Sequence, residues 1–208
     1  MTKISIIGLG TMARTLGVRA GGAGHDVQVI GRDAAKAAAL AADLGGAATA
    51  SVLGDAPTGD IVILAVPYAG AASIVSDYGP TLAGKVVVDI SNPFDSAHTG
   101  LATPRDSSAA QEIAAAAAPG TTVVKAFNTL FSGVLAAGET AGHPVDVFIA
   151  GDDPDAKATV SSFIASLGLR PIDTGDLTFA HWLEGMGLVI LGQGIRHDDF
   201  SLTIKILG

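Results

Sequence analysis

The run Gly8-Leu9-Gly10-Thr11-Met12-Ala13 has the residue types and spacing of a backbone cradle for a diphosphate. Gly8 permits a tight turn, Gly10 lets the main chain approach the pyrophosphate, and Ala13 stands where a helix must pack closely on a strand. Free N–H groups at the helix start, aided by the helix dipole, favour an anion there. The chain holds 27 glycines, so context decides whether the run means anything. It follows the β-branched stretch Lys3 to Ile7 directly, opens a helix over Thr11 to Ala23, and precedes a second strand at the distance of a βαβ unit.

That second strand, His25 to Ile30, ends on Gly31-Arg32-Asp33. A site for the unphosphorylated dinucleotide usually has a carboxylate here to accept both ribose hydroxyls. Gly31 instead leaves room, Arg32 offers a planar fork of donors, and Lys36 lies in the first turn of the next helix. Two cations converging on one point suit a ribose 2′-phosphate, which predicts NADP(H). Asp33 would repel that phosphate unless it caps the following helix, as Asp33-Ala34-Ala35-Lys36 suggests.

Three further segments follow apolar strands and should reach the same edge: Ala65-Val66-Pro67, Ser91-Asn92-Pro93 and Lys125-Ala126-Phe127-Asn128-Thr129. Asn92 and Asn128 are candidates to bond the nicotinamide ribose or carboxamide, with Ala126 and Phe127 as a floor beneath the ring, although Asn after a strand is also an ordinary turn former. No catalytic acid or base is identified. The five histidines show no spacing expected of metal ligands, and no metal is expected. In His181-Trp182-Leu183-Glu184 the residues can meet a substrate or another subunit, while a lone Trp in an apolar helix is more often core or interface.

The elements needed to position these residues are strands at Lys3 to Ile7, His25 to Ile30, Ile61 to Val66, Lys85 to Ile90, Thr122 to Phe127 and Val145 to Ala150, with helices between them. Beyond Ala150 come a helix over Asp155 to Leu167, a strand over Leu169 to Ile172 and an apolar helix over Leu177 to Leu191. The alternation predicts an α/β fold, a Rossmann-type doubly wound parallel sheet with a small C-terminal α/β extension. Residues 1–150 would form the NADP-binding domain and 151–208 a small capping portion. The tail is too short for an independent substrate domain.

Composition bounds the rest. With 208 residues, 49% hydrophobic, a formal net charge of -8 and no cysteine, the chain has room for one large domain and no disulfide framework. The acidic balance argues against nucleic acid as a partner, and no apolar run is long enough for a membrane span. A cytoplasmic location is the default expectation. The apolar last helix suggests a homodimer.

Taken together, Gly8 to Met12, Gly31-Arg32 with Lys36, Ala65-Val66-Pro67, Ser91-Asn92-Pro93 and Gly168-Leu169-Arg170-Pro171-Ile172-Asp173-Thr174-Gly175 resemble the coenzyme F420-dependent NADP oxidoreductase family over nearly the whole chain. The resemblance implies that a small C-terminal portion caps the nucleotide domain and that a deazaflavin, coenzyme F420, stacks on the nicotinamide for direct hydride exchange. An NADPH-dependent flavin reductase or oxidase acting on FMN or riboflavin, or a module that senses NADP(H) without turnover, remain alternatives. Lys125 with Asn128 invites comparison with β-hydroxyacid dehydrogenases, but the spacing and the missing all-helical domain argue against it.

Overall fold

The computed structural model describes residues 1–207. In chain order the elements are β1 (Lys3–Ile7), α1 (Thr11–Gly22), β2 (Asp26–Gly31), α2 (Ala34–Leu44), β3 (Thr49–Val52), β4 (Ile61–Leu64), α3 (Tyr68–Tyr78), β5 (Val86–Asp89), α4 (Ala109–Ala116), β6 (Thr122–Lys125), α5 (Ser132–Ala137), β7 (Glu139–Thr140), β8 (His143–Pro144), β9 (Asp146–Gly151), α6 (Pro154–Ser166), β10 (Arg170–Asp173) and α7 (Ala180–His197). Short 3-10 turns precede β5 and α7.

One sheet of eight strands runs in the order β10-β9-β6-β5-β4-β1-β2-β3. The six strands from β3 to β6 are parallel, in the order of a doubly wound dinucleotide-binding fold, as expected. Strands buried on both faces need apolar side chains on both, and β4 (Ile-Val-Ile-Leu) at the centre supplies four fully buried ones. The strand order reverses between β1 and β4, and a crevice opens there at the carboxyl ends.

The tail extends the sheet, but with a change of direction. β9 joins β6 antiparallel through Val124 to Gly151 and Lys125 to Ala150, and β10 then runs parallel to β9. Antiparallel pairing needs only a short connection, and α5 with the small β7–β8 hairpin fills it in place of a full crossover helix. β3 is absent from the sequence reading because it is an edge strand, Thr-Ala-Ser-Val, with little buried surface to impose a pattern. β6 ends two residues earlier than its apolar run, at Lys125, because Phe127 takes a left-handed conformation (φ 61°) that turns its ring into the core beside Phe163.

One core lies between the sheet and α1, α2, α5 and α6, where Leu16, Leu40, Leu135 and Phe163 meet the inner faces of β1, β2 and β9. The other lies under α3 and α4, around Leu64, Val75, Tyr78 and Ile113. The C-terminal tail returns to the sheet at Asp146, whose buried carboxylate accepts from Arg170 (2.7 and 2.6 Å), Lys205 (3.0 Å) and the Ile206 N–H (2.9 Å). Burial alone would push that carboxyl up, but the three donors outweigh it and hold it at about 2.

Candidate functional site

The crevice at the strand-order reversal is a cleft of about 630 Å³. Its floor is the β1–α1 turn, with Gly8, Leu9 and Gly10, and its walls are Gly31 to Asp33 with Lys36 on one side and Ala65 to Pro67 with α3 on the other. Gly8 adopts φ +129°, and a Cβ there would collide with the carbonyl of Ala65. Only glycine lets β1 turn under the β4–α3 connection in this way. A Cβ on Gly10 would meet nothing within 4 Å, so the backbone faces open space where a diphosphate would lie.

Gly10 is the N-cap of α1, which like α3, α5 and α7 has no side chain bonding its first N–H groups, whereas Asp33, Ser108 and Asp153 cap α2, α4 and α6. An uncapped helix start aimed at an open cleft provides donors for an anion. Thr11, exposed, and Met12, half-buried against the core, open that helix but do not line the cleft.

Asp33 caps α2 by accepting from the Lys36 N–H at 3.0 Å, and this bond holds its carboxyl below the ordinary range. Lys36 Nζ lies 3.7 Å from the same carboxylate, with both side chains largely in solvent. Arg32 makes no ion pair among the described residues. The cleft edge therefore presents one uncommitted guanidinium and one ammonium shared with its neighbour. Gly31 has a different neighbour from the one the sequence suggests: a Cβ would run into the Leu9 side chain, so its first service is to pack against the glycine turn. The volume a side chain would take at Gly31 is filled by Leu9, so the expected room for a phosphate is not what the missing side chain provides.

Asn92, Asn128, Ala126 and Phe127 also stand apart from this cleft, and the Phe127 ring, expected as a floor beneath the nicotinamide, is buried against Phe163. Asn92 Nδ2 donates to the Asn128 carbonyl (2.8 Å), and Asn128 Nδ2 donates to Asn92 Oδ1 and to the Leu183 carbonyl (both 2.9 Å). Gly187 of α7 allows this approach, since a Cβ there would sit 2.9 Å from Asn92 Oδ1. Asn128 Oδ1 and Ser91 Oγ are buried without a partner among the described residues. Ala126 is fully buried in the core, so only its backbone is left for a ligand.

Beneath Asn92 lies a buried charge cluster. Lys125 Nζ, at 0% side-chain exposure, donates to Asp89 Oδ2 (2.7 Å), Glu184 Oε1 (2.7 Å) and the Ser91 carbonyl (2.6 Å). Glu184 also accepts from the Ala109 N–H (3.2 Å). Burial pushes the Glu184 carboxyl up while Lys125 pulls it down. The cluster and the paired asparagines fasten α7 to the carboxyl ends of β5 and β6. Lys125 is thus spent on structure, which rules out a role like that of the dehydrogenase lysine.

The signal for this cluster was present in the sequence: Asp89 and Lys125 each interrupt an otherwise apolar strand, and a charge placed there needs a partner. Sequence reasoning also missed the α3 wall of the cleft, where Gly70, Ser73, Ile74 and Asp77 share one helix face. Trp182 is 68% exposed, which excludes the core reading for it. His181 Nδ1 bonds the Ser107 carbonyl at 2.8 Å. Tyr68, at the start of α3, donates to Glu112 at 2.7 Å, a bond that pushes its hydroxyl up to about 12 and keeps it protonated.

Among the described residues no helix is long and apolar enough to cross a membrane.

A sheet of this order, a glycine turn at its switch point and cations at the end of β2 define a dinucleotide-binding protein. Residues 3–93 match the family model described as NADP oxidoreductase coenzyme F420-dependent. The F420-dependent NADP reductase of Methanocaldococcus jannaschii is 32% identical over 158 residues, 73% of this chain and 69% of that protein. Metalloreductase STEAP3 of Rattus norvegicus is 34% identical over 189 residues, 91% of this chain but only 37% of that longer protein. A crystal structure from Arthrobacter sp. FB24, provisionally assigned as an F420-dependent NADP-reductase, superposes with a TM-score of 0.88 at 28% identity, covering 100% of both chains.

The chain is an NADP-dependent oxidoreductase. It belongs to the F420-dependent NADP oxidoreductase family.

Proposed function

We propose that this protein passes a hydride between NADP(H) and coenzyme F420. The observation that carries the reading is the conjunction of the cleft with its cations and a relative, matched over 158 residues, that is named for that reaction. In this reading the adenosine half of the dinucleotide lies along β1 to β3, the diphosphate on Gly8, Leu9 and Gly10 at the start of α1, and the 2′-phosphate against Arg32 and Lys36. Ala65, Val66 and Pro67 form the apolar step over which the nicotinamide half crosses towards β5 and β6. There Ser91 Oγ and Asn128 Oδ1 hold unspent hydrogen-bonding capacity.

When both are bound, the two rings supply the chemistry, one giving up a hydride as the other accepts it, with the accompanying proton exchanged with solvent. The chain's own contribution is orientation and exclusion of water. Its polar groups near β5 and β6 fit that division, because Lys125, Asp89 and Glu184 are committed to one another and Tyr68 to Glu112. Residues 1–150 would carry the dinucleotide, and 151–208 would brace the nicotinamide end through α7. The exposed Trp182, Val189 and Ile195 of α7 support pairing with a second copy of the chain.

The reading is tested by steady-state oxidation of NADPH with F420 and FMN offered separately. F420 should be reduced with the higher kcat/KM. Preference for FMN would shift the assignment to a flavin reductase, and inactivity with both would favour a sensing module.

A further inference from the structure

A side pocket of about 250 Å³ adjoins the cleft and shares Leu53, Ile74 and Asp77 with it. The rest of its lining is Gly54, Tyr78 and Thr81, and Tyr78 fixes the loop beside it by accepting from the Gly54 N–H at 3.2 Å. The pocket lies past the Arg32 end of the cleft, between the loop after β3 and the last turn of α3. Leu53 and Ile74 give it aliphatic walls suited to the faces of a flat ring.

α3 is amphipathic in an informative way. Ala71, Val75 and Tyr78 are buried against the sheet, while Gly70, Ser73, Ile74 and Asp77 fall on the flank beside them, towards the cleft, with Ile74 still touching the core. Asp77 is exposed and makes no ion pair among the described residues, although Arg32 and Lys36 line the same cleft. A free carboxylate is costly near a phosphate site unless it meets a donor of its own. The donor that a bound purine brings to such a pocket is an exocyclic amine.

We propose that Asp77 reads the base of the dinucleotide, accepting the 6-amino group of adenine between Leu53 and Ile74 and rejecting purines that carry oxygen at that position. The inference rests on the NADP(H) reading of the cleft. A 6-oxo purine would turn a lone pair towards the carboxylate, losing a charge-assisted bond and adding repulsion.

The test compares equilibrium binding of NADPH with that of its hypoxanthine analogue, deamino-NADPH, which keeps the 2′-phosphate, diphosphate and nicotinamide. Wild type should bind NADPH about tenfold more tightly, the span of one partly exposed hydrogen bond to a charged group. Asp77→Ala should weaken NADPH binding by a similar factor, leave the analogue's nearly unchanged and bring the ratio close to one. Asp77→Asn, whose amide can turn either its oxygen or its NH2 to the base, should also leave the ratio close to one. Arg32→Ala should weaken both ligands alike and preserve the ratio. Equal binding of both by wild type, or an equal loss of both in Asp77→Ala, would overturn this assignment alone. Binding of neither would overturn the cofactor reading and this one with it.

Discussion

Arg32→Ala is expected to weaken NADPH binding by about 1.5–3 kcal/mol, roughly ten- to a hundredfold, and to leave NADH binding almost unchanged. The size follows from how the two cations are committed. Lys36 already shares its charge with Asp33 at 3.7 Å, whereas Arg32 has no carboxylate partner among the described residues and its fork matches phosphate geometry. Lys36→Ala should therefore cost less. Titration of both variants with NADPH and NADH by calorimetry measures the difference, and equal losses for the two cofactors would contradict assignment of Arg32 to the 2′-phosphate.

The second large effect is on the fold. Lys125→Ala should destabilise the protein by about 3–5 kcal/mol, because it leaves Asp89 and Glu184 buried without their shared cation. Glu184→Gln should cost distinctly less, since Lys125 and Asp89 then remain as a balanced pair. Unfolding in urea measures both. A loss within about 1 kcal/mol of wild type for Lys125→Ala, the range of an exposed ion pair, would show that the cluster is not the internal tie described. The sign of the pH effect adds a check. Burial raises the Glu184 carboxyl in the folded state, so ionising it there costs stability that is regained as pH falls through the raised value. In Lys125→Ala, where the opposing pull of the ammonium is gone, that recovery on acidification should be larger.

The parallel half of the sheet and the glycine turn were legible because each rests on local chemistry. β1, β4 and β5 announce themselves as apolar runs, Gly8 as the sole residue type able to turn beneath Ala65, and Asp33 as the cap of α2. The direction of β9 was not legible, because strand polarity depends on what lies between the strands, and α5 with its hairpin has no long apolar face to reveal itself. β3 lacked the burial that would have patterned it.

At the site the same division holds. Gly31, Arg32 and Lys36 gather at the cleft edge as their spacing requires. Asn92 and Asn128 meet each other and α7, a contact between segments far apart in sequence that no local pattern encodes. Asp77 went unnoticed because a single acidic residue in a helix reads as solvated surface until the neighbouring wall, Leu53, is placed opposite it.

Direct transfer of the hydride between two stacked cofactors is the centre of this account, and deuterium at C4 of NADPH tests it most directly. With each 4-deuterated stereoisomer in a single turnover with F420, one isomer should deliver its deuterium to the reduced deazaflavin in full, even in ordinary water, and the other should retain it on the nicotinamide. Deuterium lost to solvent, or no reduction of F420 under saturating NADPH, would contradict the proposal.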